Sequence, residues 1–193
     1  MARVRAKRTS AARTGARRPV ARRAGGGTLD GLPRLRIGCG ADAHPFRPGR
    51  RLVLGGVEIP HPRGLAGHSD ADAVAHAICD AILGALGLPD MGVRFPDTDE
   101  SLRGRSSLWF LQDVMREARL RRFEIVNVDA VVLAEAPRLQ PHLGAMRRAL
   151  AGALGVPEGS VGLKAKRLEG LGAIGRGEGI MVQAVALLGG RVA

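Results

Sequence analysis

From residue 35 onwards, short runs of β-branched and aliphatic residues alternate with longer stretches in which apolar residues recur at helical spacing. Apolar runs bounded by glycine or polar residues are typical of strands, and amphipathic stretches that follow a capping residue are typical of helices. The pattern predicts strands at 35–41, 124–134, 161–165 and 179–188, and a hairpin at 52–59 that turns at the Gly55–Gly56 pair. It also predicts helices from Ser69 or Asp70 to residue 86, at 106–121, and from after Pro141 to a stop at Gly155.

The order of these elements indicates the fold class. Strands and helices alternate with compact connections, which favours an α/β or α+β domain in which helices layer on a sheet. The 179–188 run is apolar at positions that would face both sides of a sheet, so we predict that it is a central strand. We therefore expect an α+β (α/β-like) fold, with a mixed β-sheet and helices on one face, in a domain that covers residues 34–190.

Residues 1–33 differ in composition from the rest of the chain. They hold nine Lys or Arg and one acid, Asp30, so they carry +8 of the net charge of +12. A segment without apolar periodicity cannot bury enough surface to offset the entropy of ordering, and we predict a disordered basic extension. Its role stays open between a solvated extension or upstream translation start without function, an organelle transit peptide, and a nonspecific nucleic-acid arm.

The composition excludes several classes of protein. The longest apolar stretch, 180–188, is too short to cross a bilayer as a helix, so no membrane association is expected. Trp109 is the only tryptophan and tyrosine is absent, which argues against a stacking surface for nucleic acid. Cys39 and Cys79 stand singly, and we predict that both are small buried hydrophobic residues in a reducing compartment. That compartment is the cytoplasm, or a plastid if residues 1–33 are a transit peptide.

Three residues form a candidate metal site. Asp42 and His44 are two apart at the end of a predicted strand, so their side chains point to the same side. His76 lies on a predicted helix, four residues from both Asp72 and Asp80, and one of these acids is expected to orient its imidazole. Two histidines and one carboxylate leave a fourth position open, as in a catalytic zinc site. Each cluster taken alone is also compatible with an ordinary surface or capping pair.

Two further motifs carry polar groups in turns. Residues 95–99 read Phe-Pro-Asp-Thr-Asp, and residues 172–179 form a glycine-rich stretch that contains Arg176. Glycines allow close backbone approach to a ligand, and arginine is a rigid anion-binding fork. Either motif by itself is also compatible with a plain turn or a flexible loop.

Taken in order, these motifs resemble one family, the 2-C-methyl-D-erythritol 2,4-cyclodiphosphate synthases of the non-mevalonate isoprenoid pathway. The resemblance runs from about Arg36 to Leu188. The residues that carry it are Arg36-Ile37-Gly38, Asp42-x-His44, Leu54-Gly55-Gly56-Val57, His68-Ser69-Asp70 through His76, Phe95-Pro96-Asp97-Thr98-Asp99, Asn127-Val128-Asp129, Ala136-Pro137 and Gly175-Arg176-Gly177-Glu178-Gly179.

The resemblance implies a trimer-forming, ferredoxin-like architecture with active sites between subunits of a homotrimer. It implies a lyase that converts 4-CDP-2-C-methyl-D-erythritol 2-phosphate to the 2,4-cyclodiphosphate and releases CMP. In the family pattern Asp42, His44 and His76 hold one Zn²⁺ per chain. Glu169 matches a position that helps to hold a second ion, Mg²⁺ or Mn²⁺, between the α- and β-phosphates.

The resemblance also implies a set of substrate contacts. His68 matches a transition-state stabiliser, and with Arg167 and Glu169 it completes the catalytic residues that we predict. The substrate-binding residues that the resemblance implies are Asp42, His44, His68, Ser69, Asp90, Met91, Gly92, Phe95, Pro96, Asp97, Thr98, Asp99, Ala134, Ala136, Pro137, Arg138, Lys166, Arg167, Leu168, Glu169, Ala173 and Arg176.

The chain departs from the family pattern on the nucleotide side. Lys166, Arg167 and Leu168 stand where a threonine run is usual, and Arg138 and Ala173 replace a frequent lysine and a common aromatic. These changes leave two alternatives beside the synthase. One is a paralogue with the same metal site and cyclase-type chemistry on a different phosphorylated or nucleotide-linked substrate, and the other is a catalytically silent binding subunit.

Overall fold

The computed structural model describes residues 34–190 of the 193-residue chain. The predicted basic extension at 1–33 lies outside the described residues. Within them, no helix is both long and apolar enough to cross a membrane.

Seven strands of the described region form a five-stranded sheet and a separate hairpin. They are β1 (Arg34–Pro48), β2 (Leu52–Leu54), β3 (Val57–Ile59), β4 (Arg63–Leu65), β5 (Phe123–Leu133), β6 (Val161–Lys166) and β7 (Gly179–Gly190). The sheet order is β4-β1-β7-β5-β6, and β2 pairs with β3 alone. Every pair is antiparallel except β5 with β6, which is parallel. The mixed sheet, the hairpin and the central position of the last strand are confirmed.

Between residues 34 and 190 the strands are accompanied by five helices: α1 (Ala73–Leu86), α2 (Met91–Arg94), α3 (Ser107–Leu120), α4 (Leu143–Leu154) and α5 (Gly172–Gly175). Two 3₁₀ turns lie at Glu100–Leu102 and Glu158–Ser160. The prediction that α1 starts at Ser69 or Asp70 is wrong. Asp72 is the N-cap, because its carboxylate accepts hydrogen bonds from Val74 N and Ala75 N at 3.0 and 3.1 Å. Gly155 ends α4 in the left-handed conformation, as predicted.

Helix α1 lies unusually close to β1, and two glycines allow it. A Cβ atom on Gly38 would lie 2.0 Å from Ala81 O, and one on Gly40 would lie 2.1 Å from Ala77 O. No side chain fits into either gap, so the helix backbone packs directly on the strand backbone. This close approach brings the first turns of α1 next to the end of β1 that carries Asp42 and His44.

Among residues 34–190, helices cover only one face of the sheet. Alternate residues of β7 pack beneath the helices and are fully or almost fully buried; they are Ile180, Val182, Ala184, Ala186 and Leu188. The opposite face exposes 54% of Leu35, 71% of Ile37 and 39% of Val185. The helices therefore lie on one face, as predicted, and an apolar surface is open on the other.

The two cysteines have different environments. Cys79 is buried in α1, as predicted, but the prediction that Cys39 is buried is wrong. Gly38 and Gly40 face α1, so the alternation of the strand turns Cys39 to the open face opposite Val185.

Candidate active site

Asp42, His44 and His76 converge as the sequence predicted. One ligand atom from each lies within 4.8 Å of the others. Asp42 Oδ2 is 2.9 Å from His44 Nε2 and 3.0 Å from His76 Nδ1, and the two nitrogens are 3.4 Å apart. Two imidazole nitrogens and one carboxylate oxygen are a donor set that suits a divalent transition metal. The group therefore fits a divalent ion and leaves room for a further ligand from the cleft.

The far side of the His76 ring is held by a serine that the sequence analysis missed. His76 Nε2 is 2.8 Å from Ser107 Oγ, at the start of α3, and 3.3 Å from Ser69 Oγ. The Ser107 hydroxyl donates a short hydrogen bond to Asp70 Oδ1, and Ser107 N donates to Asp70 Oδ2 at 2.9 Å. With Nε2 engaged in this way, Nδ1 is the nitrogen that faces Asp42.

The prediction that Asp72 or Asp80 orients His76 is wrong. Asp72 accepts hydrogen bonds from Gly55 N and Gly56 N, at 2.8 and 2.6 Å, in addition to capping α1. It therefore ties the β2–β3 hairpin to the helix. Asp80 accepts from Met91 N at 2.7 Å and so anchors the start of α2. Both carboxylates position backbone elements around the site.

The contacts within this group shift the pKa values of Asp42 and His76. Burial alone would raise the pKa of Asp42, but its hydrogen bonds with His44 and His76 hold that pKa well below its usual range. Burial alone would lower the pKa of His76, but the hydrogen bond and the charge of Asp42 leave it above the ordinary histidine value. In the absence of a metal, the geometry therefore favours a proton on His76 Nδ1 next to an ionised Asp42.

A metal at this group must displace that proton, which gives a pH dependence with a definite sign. The affinity for a divalent metal should fall as the pH is lowered through the raised pKa of His76, so the loss should begin above the usual histidine value of about 6.5. Since one proton is released, we expect a slope of roughly tenfold per pH unit on the acid side. Competition with a chromophoric chelator across about pH 5–8 measures it; a flat profile through this window would contradict the assignment.

A cleft of about 550 Å³ opens beside the metal group. It gathers ten of the predicted site residues: Asp42, His44, His68, Ser69, His76, Asp90, Met91, Gly92, Phe95 and Asp97. Leu102 and Phe110, which the sequence analysis did not single out, form part of its apolar wall. Phe95 packs on Phe110 with ring centroids 4.7 Å apart. The cleft therefore joins a metal group to a partly apolar pocket.

The loop that carries His68 and Ser69 is fastened on both sides. His68 Nε2 lies 2.9 Å from Asp99 O, which fixes the direction of the ring. Arg50 donates to Gly67 O and Ser69 O at 2.5 and 2.6 Å. The side chains of His68 and Ser69 are thus held at the cleft by contacts from two other parts of the chain.

A second cleft of about 610 Å³ lies at the ends of β5 and β6. Predicted residues Ala134, Pro137, Arg138, Lys166 and Arg167 line it, together with Glu135, Leu139, Gln140 and Ala165. Arg167 forms a short ion pair with Glu135, which no sequence motif indicated. Lys166 and Arg138 have no ion-pair partner among residues 34–190. The second cleft therefore carries cations that are available to an anionic ligand.

The remaining predicted residues line neither cleft. Asp99 caps the Glu100–Leu102 turn by accepting from Ser101 N at 2.9 Å, and Pro96 and Thr98 precede it. Arg176 pairs with Glu178 at 2.7 Å, and Glu169 is an exposed residue with a positive φ of 51°. Ala136, Leu168 and Ala173 also lie outside the two clefts. The single chain thus does not bring Glu169 into the cleft that holds Asp42, His44 and His76.

Comparison with known proteins identifies the family. The YgbB family model matches residues 35–189, which is nearly the whole described region. The chain belongs to the YgbB family. This membership, together with the mixed sheet, confirms the family and fold class predicted from the sequence motifs.

Similar members of the YgbB family share one name. The 2-C-methyl-D-erythritol 2,4-cyclodiphosphate synthase of Cupriavidus necator is 53% identical over 154 residues, which are 80% of this chain and 91% of the relative. The synthase of Alkaliphilus metalliredigens is 48% identical over 155 residues, 80% of this chain and 98% of the relative. A solved synthase structure in a CDP-bound form matches with a TM-score of 0.73 at 40% identity, covering 79% of this chain and 99% of that chain.

Within this YgbB family member, the backbone at Ala71 has a conformation that its residue type does not favour. Ala71 has a φ of 58° and is completely buried between Ser69 and the N-cap of α1. Alanine in the left-handed region is strained, whereas glycine adopts it freely. Ser69 Oγ accepts from Ala71 N at 3.1 Å, so the turn is held by a side chain of the site itself.

Proposed function

We propose that this protein is a 2-C-methyl-D-erythritol 2,4-cyclodiphosphate synthase. The 2-phosphate oxygen of 4-CDP-2-C-methyl-D-erythritol 2-phosphate attacks the β-phosphorus of the same molecule. The bond from the β-phosphorus to the oxygen bridging it to the α-phosphorus breaks, CMP leaves with that oxygen, and the cyclic diphosphate closes. The observation that carries the proposal is the Asp42, His44 and His76 group at the wall of a pocket, in a chain that matches the synthases over nearly its whole domain.

The proposal includes two metal positions with different protein ligands. We assign Zn²⁺ to Asp42, His44 and His76, and Mg²⁺ or Mn²⁺ to a position that includes Glu169. Bound there, the ions would supply positive charge to polarise the β-phosphate and neutralise the diphosphate. Phosphoryl transfer needs mainly positioning and charge neutralisation, so the chain requires no nucleophilic side chain.

The chain's own residues orient the reacting groups in the first cleft. His68 is held by Asp99 O at 2.9 Å, so its ring is directed before the substrate arrives and can stabilise charge on the phosphate that is attacked. Ser69 and the walls formed by Asp90, Met91, Gly92, Phe95 and Asp97 hold the methylerythritol phosphate, and Pro96, Thr98 and Asp99 complete the adjoining turn. The partly apolar surface of Phe95 and Phe110 suits the methyl group and excludes water from the attack.

The second cleft is assigned to the cytidine diphosphate portion. A solved relative is described as bound to CDP, which supports a nucleotide site in this fold. In this chain, Ala134–Arg138 form the base-binding segment, and Lys166, Arg167 and Arg138 face the phosphates with three cations. Leu168 and Ala173 complete the neighbouring loop, with Arg176 beyond it. Arginine and lysine neutralise phosphate charge where smaller hydroxyl groups would donate single hydrogen bonds.

We infer that the two clefts meet between subunits of a homotrimer. The two clefts share no lining residue. Strand β7 also lies between β1, which carries Asp42 and His44, and β5, which ends at the second cleft, because Met181 pairs with Ala43 on one side and with Leu133 on the other. The open apolar face with Leu35, Ile37 and Val185 offers a surface for copies of the chain. A cyclic arrangement would then set the second cleft of one subunit against the first cleft of its neighbour.

One observation favours a second candidate function. At the second cleft Arg167 is paired with Glu135, whereas the synthase family pattern has smaller, uncharged threonines at the position of Arg167 and its neighbours. The same metal site and cyclase-type chemistry on a different nucleotide-linked substrate is therefore the competing proposal. The two free cysteines agree with a reducing compartment, and we place the enzyme in the cytoplasm.

Metal dependence tests the proposed function. The wild-type protein supplied with zinc and magnesium should release CMP from 4-CDP-2-C-methyl-D-erythritol 2-phosphate, and removal of zinc with a chelator should abolish the release. Adding zinc back should restore it. A protein that holds one zinc per chain and releases no CMP would overturn the synthase proposal in favour of the competing substrate.

A further inference from the structure

Ser107 is a completely buried polar residue whose hydroxyl lies between two ionisable side chains. Asp70 Oδ1 accepts from the Ser107 hydroxyl, and His76 Nε2 lies 2.8 Å from Ser107 Oγ. Asp70 also accepts from Ser107 N at 2.9 Å and from Asp72 N at 3.3 Å. The carboxylate is thereby fixed by two backbone amides and presents one oxygen to the hydroxyl.

The direction of these hydrogen bonds follows from counting protons. A serine hydroxyl has one hydrogen to donate, and a carboxylate can only accept. Since the Ser107 hydrogen is directed at Asp70, its oxygen must accept from His76. His76 therefore carries a hydrogen on Nε2, and a metal that displaces the proton between Nδ1 and Asp42 would bind through the Nδ1 lone pair.

We infer that Asp70 and Ser107 are positioning residues that select the tautomer and orientation of His76 for metal binding. The relay runs from Asp70 through Ser107 to the ring and ends on the Nδ1 atom in the metal group. Metal-binding histidines commonly donate their second ring N–H to an acceptor that fixes the ring, and here the acceptor is a hydroxyl oriented by a carboxylate. The inference rests on the metal site of the proposed function and is independent of its substrate.

The relay also couples distant parts of the chain to the metal group. Ser107 begins α3, Asp70 lies before α1, and His76 lies within α1. The backbone Asp70 N donates to Arg105 O at 3.2 Å, which ties the two loops together. The position of α3 therefore sets the direction of the His76 ring.

Two substitutions test the relay by different routes. Ser107→Ala removes the acceptor and leaves a small gap. Asp70→Asn keeps the size of the side chain. With its oxygen kept on the shorter backbone contact, from Ser107 N at 2.9 Å rather than from Asp72 N at 3.3 Å, it places an amide N–H where the Ser107 hydroxyl now donates. The hydroxyl would then turn its hydrogen toward His76 Nε2 and favour the wrong tautomer.

The readout is the affinity of the metal-free protein for Co²⁺, followed by its visible absorption. We expect Ser107→Ala and Asp70→Asn each to weaken Co²⁺ binding by about 10–100-fold, as is typical of lost supporting contacts to metal ligands. The slowly exchanging Nε2 proton of His76 should be visible by NMR in the loaded wild type and lost in Ser107→Ala. Ser106→Ala is the matched control, because Ser106 is an exposed neighbour whose side chain makes no capping hydrogen bond.

The outcomes separate this inference from the proposed function. Co²⁺ affinity in both variants equal to that of Ser106→Ala would overturn the relay, even if CMP release is observed in the wild type. A loss of thermal stability with unchanged Co²⁺ affinity would overturn it as well, because it would show a purely structural role. Weakened binding with the NMR change would support the relay whatever substrate the enzyme turns over.

Discussion

Replacing His76 with alanine is expected to abolish bound zinc and to lower CMP release by on the order of 1000-fold or more. His76 supplies one of the three ligand atoms, and its ring is almost completely buried between the metal group and Ser107. The substitution leaves Asp42 and His44 as the two remaining ligands, and a cavity in place of the imidazole ring. Metal content by mass spectrometry of the native protein and initial rates of CMP release measure the two effects.

A second histidine outside the metal group provides the control. His142 precedes α4 and makes no capping hydrogen bond through its side chain, so His142→Ala should keep one zinc per chain. If His76→Ala retained wild-type zinc content, or if its turnover stayed within a few fold of the wild type, the assignment of the metal group would be wrong.

Replacing Arg167 with alanine is expected to reduce kcat/KM for the CDP-linked substrate by about 10–100-fold, which corresponds to one lost charge-assisted hydrogen bond to phosphate. Arg167 lies at the second cleft and is oriented by its ion pair with Glu135. Steady-state kinetics with the purified variant measures the change. Arg147→Ala removes an exposed arginine that pairs with Glu158 outside both clefts, and it should leave kcat/KM unchanged.

The reversion of Lys166, Arg167 and Leu168 to threonine separates the two candidate substrates. If these cations belong to a working CDP site, the triple variant should lose turnover as Arg167→Ala does. A sharp rise in turnover of the CDP-linked substrate would show instead that the natural side chains are adapted to a different ligand.

Mixing the two impaired variants tests whether the site is shared. His76→Ala and Arg167→Ala affect different clefts, and a site between subunits takes one cleft from each chain. Random reassembly at equal amounts should then return about a quarter of the activity of the wild type, since half the first clefts and half the second clefts are intact. Activity no higher than that of the separate variants would indicate that each chain builds its own site.

The metal group was predictable because its three residues obey local rules. Asp42 and His44 share a side of β1 through the alternation of a strand, and His76 lies within a helix with a clear apolar stripe. The close packing of α1 on Gly38 and Gly40 then brings the two elements together. Local periodicity and two glycines were sufficient to place these side chains.

The supporting contacts were not predictable in the same way. Ser107 is 31 residues from His76, and nothing in its own segment distinguishes it from an ordinary helix-start serine. The acids at helical spacing from His76 were the natural candidates, yet Asp72 and Asp80 bind backbone amides. Contacts between distant loops depend on how the elements pack, which periodicity does not specify.

The environments of Cys39 and Glu135 also depend on how the elements pack, which the sequence pattern does not specify. The burial of Cys39 was predicted from residue type, but the strand face was decided by the neighbouring glycines. The Glu135–Arg167 ion pair joins the segments that follow β5 and β6, which are parallel neighbours in the sheet. Once that pairing is known, both side chains belong at the same end of the sheet.

The most direct test of the synthase proposal is the identity of the product by ³¹P NMR. Wild-type protein loaded with zinc and magnesium is incubated with 4-CDP-2-C-methyl-D-erythritol 2-phosphate, and the spectrum is followed over time. The proposal predicts that the signal of the 2-phosphate monoester disappears while two coupled signals of a cyclic diphosphate and one signal of CMP grow in equal amounts. Unchanged substrate in the presence of folded, zinc-loaded protein would contradict it, as would CMP accompanied by an open-chain bisphosphate, which would show that water is the attacking group.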